Sequence, residues 1–429
     1  MKVMCGFVIT EPSCARAPSI RCHTISRLLV FMKIALLSDF HLGYGRFRED
    51  AYKQAEEALG KAADLADLLL IPGDIFDNRN PDPEILAEAI TLFRNLSERD
   101  WKARVTEFEG AGRHFTSVPV VAIPGTHERR AEGVEDPVDL LGLAGLLVDV
   151  SNAQAIVEKD GERVAIRGIG GIADDRFREV LKKDAPRPAP GMFSIFLFHE
   201  SVYEFLPFSK DFIKTEELPD GFDLYACGHI HSRVESKAHG KPFLIPGSTV
   251  LTQLKGGEQE RKGFYIFDTK TGAYSFNCID SRRFVLVRIS AGGRAPSEIE
   301  RDIEERIKAE AARGDVPILR IEIEGRLKEG YRNLDINTPE LVERYRKMAT
   351  VEIGKLGMEL EEGADAGKVT KSLPVESISI KDYGLGIFME KLKESKYGLQ
   401  KNPAELFEML SADEKKDSVV GRVVDMLIG

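Results

Sequence analysis

Five times along this chain a short apolar run stops at an aspartate or a histidine, and that recurrence constrains the fold more than any other feature. Ile34–Leu37 leads into Ser38-Asp39-Phe40-His41, Leu68–Ile71 into Gly73-Asp74-Ile75-Phe76-Asp77, and Pro119–Ile123 into Gly125-Thr126-His127-Glu128. Ser194–Phe198 leads into His199-Glu200, and Leu224–Ala226 into Gly228-His229-Ile230-His231. The runs have the length of strands, and helical stretches at Asp50–Ala66 and Pro83–Leu96 lie between the early ones. This alternation predicts an α/β fold, with sheets packed against helices. Further strands at Val164–Ile169, Phe243–Ile245, Phe264–Phe267 and Tyr274–Asn277 are read from the sequence, the later ones close together as in an antiparallel region.

In α/β sheets ligands gather beyond the carboxyl ends of strands, which is where five of the eight histidines fall. Taken singly, an Asp-x-His or a Gly-Asp is commonly a turn, and one His-x-His is more often surface or core. Five such motifs in order, each past a strand, read together as a ligand site. Carboxylates and imidazoles without thiolates suit manganese or iron, with zinc less distinctive. The donors are too many for one ion, which predicts a two-metal site with Asp74 as its natural bridge.

These five motifs, in this order, resemble those of the calcineurin-like metallophosphoesterases, and within them the DNA double-strand-break repair nucleases of the Mre-eleven and SbcD family. Pro246-Gly247-Ser248 followed by Lys262-Gly263-Phe264-Tyr265 adds to the resemblance. It implies a metallophosphoesterase β-sandwich flanked by helices, with a small α+β capping domain and a helical C-terminal tail. Asp39, His41, Asp74 and His231 would hold one metal, and Asp74, His199 and His229 the second. His127 would be the catalytic histidine, acting on the leaving oxygen as proton donor or transition-state stabiliser. The implied activity is manganese-dependent degradation of DNA from 3′ ends and endonucleolytic cleavage of single strands, in a homodimer.

Two positions depart from the family pattern. Thr126 stands where relatives carry an asparagine whose amide oxygen reaches the second metal, so Thr126 is expected to ligate weakly or to be replaced by a water. Asp77 stands where several archaeal relatives have a histidine, and is expected to orient a ligand histidine. Arg46, Arg48, Arg79, Arg129 and Arg130 follow the motifs closely and suit either DNA-backbone contact or plain solvation.

The chain of 429 residues is too long for one core. The expected divisions are a foreign-looking leader at 1–31, a nuclease domain at 32–283, a capping and DNA-binding domain at 284–375 and a helical tail at 376–429. The leader holds three of the five cysteines and is read as a mis-assigned extension before Met32, or else as a disordered segment. The second domain is read from a strand at Phe284–Ile289, a helix at Pro296–Ala312 and a strand at Ile318–Glu324. In the tail, Asn402-Pro403-Ala404-Glu405 reads as a helix start, and Val419, Val420, Val423, Val424, Leu427 and Ile428 share one helical face. Either this face packs on the chain itself, or, as the resemblance favours, it docks on an ABC-type ATPase of the Rad-fifty or SbcC kind.

Composition adds exclusions. No stretch approaches the ~18 uninterrupted apolar residues of a membrane span, and the expectation is a cytoplasmic, nucleoid-associated protein. The cysteines are scattered and suggest no disulfide framework. A net charge of −10 argues against a general nucleic-acid coat but not against DNA as a substrate. The rival readings are a small-molecule phosphodiesterase with the same metals, or a degenerate DNA-binding scaffold.

Overall fold

The computed structural model describes residues 31–358 apart from 111–115, 131–132, 173, 184, 207–211 and 255–257. The leader at 1–30 and everything expected of 359–429, including the tail helices, lie outside the described residues. The chain divides into two compact units. The first collects residues up to 200 with 215–252 and 260–281; the second collects 201–214, 253–259 and the residues from 282 onward.

In the first unit the strands are β1 (Lys33–Leu36), β2 (Leu68–Pro72), β3 (Arg104–Glu109), β4 (Val120–Ile123), β5 (Val148–Asp149), β6 (Gln154–Lys159) and β7 (Glu162–Ile169). They are followed by β8 (Phe193–His199), β9 (Leu224–Gly228), β10 (Val234–Ala238), β11 (Lys241–Ile245), β12 (Gly263–Asp268) and β13 (Tyr274–Cys278). Helices α1 (Arg48–Leu65), α2 (Pro83–Ser97), α3 (Pro137–Leu143) and α4 (Asp174–Lys183) are interspersed. One six-stranded sheet runs β13-β12-β1-β2-β4-β5 and one seven-stranded sheet runs β10-β11-β9-β8-β7-β6-β3. The strands that carry the polar motifs, β1, β2 and β4 in one sheet and β8 and β9 in the other, are parallel to their motif-bearing neighbours.

Side-chain alternation explains why the motif strands are apolar throughout. Ile34, Leu36, Leu68, Leu70, Val121 and Ile123 face the sandwich interior and share one core with Ile195, Leu197, Leu224 and Ala226 of the second sheet. The intervening Ala35, Leu69, Ile71, Val120 and Ala122 turn the other way and pack with α1, α2 and α3. A strand buried on both faces needs no polar residue until it ends. Helix α1 meets this face through Ala51, Ala55, Ala58 and Ala62, small side chains that let a helix lie close to a sheet. Fully burying one leucine or isoleucine is worth roughly 1.5–3 kcal/mol, so these two layers fix the positions of the strand ends.

In the second unit β14 (Phe284–Ser290), α5 (Pro296–Ala311), β15 (Ile318–Gly325), α6 (Thr338–Tyr345) and β16 (Thr350–Met358) follow one another. The three strands are parallel, in the order β14-β15-β16. Ile299, Ile303 and Ile307 of α5 and Leu341 and Tyr345 of α6 share a core with Ile289, Leu319, Ile321, Ile323 and Val351. Alternate positions of the same strands carry charge instead: Arg288 pairs with Glu322 and Glu324, and Arg320 with Glu352. No described helix is long and apolar enough to cross a membrane.

Candidate metal centre

The backbone is bent sharply where the motif strands end. Among the described residues seven non-glycine residues have positive φ, and four of them are Asp39 (54°), His41 (47°), Asp74 (52°) and His229 (77°). Left-handed conformations are costly for most side chains, least so for aspartate, asparagine and histidine, and they concentrate at functional sites. Gly73 (φ 91°) precedes Asp74 and lies flat against the His199 ring, where a Cβ would collide with it. His199 itself closes β8 rather than following it, in register with Gly228 at the end of β9.

These bends bring the expected ligands together in groups whose donor atoms lie within 4.8 Å of one another. Asp39, His41, Asp74 and His231 form one group, and Asp74, His199 and His229 another, so Asp74 belongs to both. His41, Asp77 and His127 form a third. His41 Nε2 is 3.1 Å from His231 Nε2, and His199 Nε2 is 3.2 Å from Asp74 Oδ2. The backbone N–H groups of His127 and His229 donate to Asp74 Oδ1 and Asp39 Oδ1, which turns the second carboxylate oxygens elsewhere. Thr126 is half-buried in the same turn as His127.

His199, His127 and His41 are each held through Nδ1. His199 Nδ1 donates to the Pro72 carbonyl at 2.7 Å, and His127 Nδ1 to the Asp77 carbonyl at 2.6 Å. The Asp77 carboxylate lies 3.3 Å from His41 Nδ1. One Asp77 therefore serves two histidines, the first through its side chain and the second through its backbone. Arg130 donates to the Arg79 carbonyl and to Asn80, tying the turn after β4 to the turn after β2. Arg48 pairs with Glu88 and Arg46 lies over the Phe47 ring, so three of the five arginines have contacts within the chain itself.

Burial and charge perturb the whole group. Burial works to neutralise Asp74, yet His199, His41 and His127 hold its carboxyl well below the usual range. Burial disfavours a charged His199, but the Asp74 and Asp39 carboxylates outweigh it and push the ring up to about 10. His229 is pushed down to about 4, by burial and then by the neighbouring His199. His231 is lowered as well, by burial and by His41 and Lys262. Asp39 Oδ2 is buried and makes no hydrogen bond among the described residues, and the buried Asp74 Oδ2 and His199 Nε2 have only each other. Buried carboxylate oxygens and imidazole nitrogens that converge with so few partners carry a large desolvation cost. Divalent cations would offset it, and the donor set fits them.

The sequence reading did not assign Glu128 a role. Its carboxylate is fully buried and accepts from the backbone N–H groups of Asp74, Phe76 and Gly125. It pins the Asp74 turn to the His127 turn, and its placement directly after His127 was the one available signal.

The calcineurin-like phosphoesterase family model matches residues 32–233. The chain is 29% identical over 301 residues to the DNA double-strand break repair protein Mre11 of Methanopyrus kandleri, covering 63% of this chain and 62% of that one. It is 30% identical over 258 residues to the double-strand break repair protein MRE11 of Encephalitozoon cuniculi, covering 55% and 45%. It is 25% identical over 317 residues to the Mre11 protein of Sulfolobus acidocaldarius, covering 68% and 75%. The chain thus spans less than two thirds of the first two relatives. The matched segment holds β1 through β9, every strand end that bears a candidate ligand, and with it this chain carries a domain of the calcineurin-like phosphoesterase family.

Proposed function

We propose that this chain is a two-metal DNA nuclease that processes DNA ends in double-strand break repair, as a 3′-to-5′ exonuclease and single-strand endonuclease. The observation that carries the reading is that Asp74 belongs to both ligand groups. Asp39, His41, Asp74 and His231 hold one ion, and Asp74, His199 and His229 hold the other, with Thr126 as a weak ligand or a water in its place. The oxygen and nitrogen donors suit manganese, with iron or another divalent ion as alternatives. Bound ions supply Lewis acidity to the phosphoryl oxygens and to the attacking water. The protein's own part is to orient the reactants. The Asp77 carbonyl fixes the His127 ring so that Nε2 is available to protonate the leaving oxygen. His127 is 42% exposed, which suits contact with a substrate rather than with a buried ion.

Similarity to double-strand break repair proteins favours DNA over a small phosphodiester, and the apolar helical face read at Val419, Val420, Val423, Val424, Leu427 and Ile428 suits docking on an ABC-type ATPase. A second copy of the chain fits the outer surface of α2 and α3, which touch each other and expose Ile90, Leu140 and Leu143. The test is purified protein with manganese, with and without chelator, on end-labelled linear DNA, circular single-stranded DNA and bis-(p-nitrophenyl) phosphate. Chelator-sensitive cleavage of both DNAs is expected. Hydrolysis of the small ester alone would support the small-molecule reading, and no hydrolysis of any substrate would support a scaffold.

A further inference from the structure

The Pro246-Gly247-Ser248 and Lys262 motifs lie outside the ligand set, yet the structure brings both onto the loop that carries His231. Ser248 N donates to the His231 carbonyl at 3.1 Å, and Lys262 Nζ donates to the same carbonyl at 3.2 Å. Lys262 Nζ also donates to Ser248 Oγ at 2.9 Å, and Ser248 Oγ donates to the Val250 carbonyl at 2.7 Å. Lys262 is 8% exposed, so its ammonium is placed inside the protein. Gly247 (φ 77°) passes so close that a Cβ would stand 2.7 Å from the His231 carbonyl oxygen.

The same turn reaches the other ligands of the first group. Thr249 N donates to the Asp39 carbonyl at 3.3 Å. Thr252 Oγ1 is hydrogen-bonded to His231 Nδ1. The Thr252 carbonyl accepts from Tyr44 Oη at 2.8 Å, and Tyr44 N donates to the His41 carbonyl at 2.9 Å. Asp39, His41 and His231 are thus tied through one turn.

We infer that residues 246–252, locked by Lys262, form a clamp that assembles the first metal group, with Thr252 as the positioning residue for the His231 ring. The inference rests on the reading of His231 as a metal ligand. A neutral imidazole that ligates through Nε2 carries its proton on Nδ1, and the acceptor at Nδ1 fixes both tautomer and ring angle. Thr252 Oγ1 occupies that acceptor's place, while Ser248 and Lys262 fix the backbone from which the ring hangs.

The test is Mn²⁺ titration of the full chain by calorimetry, with melting in chelator measured alongside. Thr252→Val keeps the side-chain shape and removes the hydroxyl. It should weaken one of two Mn²⁺ sites by about 10–100-fold, spare the other, and leave the metal-free melting temperature unchanged. Thr252→Ser should restore the affinity. In a His199→Ala background, where only the first group remains intact, Thr252→Val should weaken the remaining binding. Wild-type affinity at both sites in Thr252→Val, or equal weakening of both, overturns the clamp. Wild-type protein that binds no Mn²⁺ overturns the ligand reading itself, and the clamp with it.

Discussion

The two ligand groups are oriented by different means. In the second group, His199 ends a buried strand and hands its Nδ1 proton to a backbone carbonyl, that of Pro72. In the first group, His41 depends on the Asp77 carboxylate and His231 on the Thr252 hydroxyl, both of them side chains on turns. A carbonyl is present whatever the residue, whereas a carboxylate or hydroxyl is lost by one substitution. His199 is therefore protected by the fold, whereas His41 and His231 are exposed to point changes outside the ligands.

Asp74 is the place where the comparison must collapse. Asp74→Ala is expected to empty both groups and to reduce turnover by more than the ~10²–10⁴-fold that one acid–base group supplies. Metal content of the purified variant checks it, and full occupancy of either group would remove Asp74 as the bridge. His127→Ala stands next: both ions stay, and turnover falls by ~10²–10⁴-fold, read from single-turnover cleavage beside metal analysis. Loss of metal in that variant would make His127 a ligand. His199→Ala and His229→Ala should each empty the second group and leave the first, so that one equivalent of Mn²⁺ remains. Asp77→Asn tests the first group's dependence on side chains. It keeps the carbonyl that holds His127, and should weaken Mn²⁺ at the first group by about 10-fold while sparing the second. Equal effects on both groups would erase the distinction drawn above. The smallest effect is expected at Thr126. An asparagine there extends an amide oxygen farther than the hydroxyl, and Thr126→Asn should lower the Mn²⁺ needed for half-maximal cleavage by up to about tenfold. An unchanged requirement would mean that the second group is already complete.

What could be read from the sequence follows the same division between strand centres and edges. β1, β2, β4, β8 and β9 are buried on both faces, so their apolar runs and abrupt polar ends stood out. The unread β3, β5, β10 and β16 are all edge strands, paired on one side only. Val234–Ala238 reads VESKA and Arg104–Glu109 reads RVTEFE, mixtures in which alternation is too weak to separate a strand from a loop. β6 is interior and was missed as well; it is half-exposed at Gln154, Glu158 and Lys159. At the centre, residues whose own atoms face the cluster were visible because their type announced the chemistry. Glu128, Ser248, Thr252 and Lys262 act through other residues, three of them by bonding to backbone, and no residue type signals that role.

The positive φ values at Asp39, His41, Asp74 and His229 have a consequence for how this site can drift. A left-handed backbone costs an ordinary L-residue roughly 1–2 kcal/mol, and glycine, asparagine and aspartate adopt it most readily. Substitution is therefore filtered by conformation before coordination is considered. An aspartate there can drift to asparagine or glycine with its loop intact, which yields a folded but metal-poor descendant. Alanine or valine at the same place strains the turn as well as removing the donor. Lineages that lose this chemistry should accordingly keep the loops and carry asparagine or glycine at these four positions, and the alanine variants at Asp74 and His229 should each melt lower in chelator than the asparagine variant at the same position.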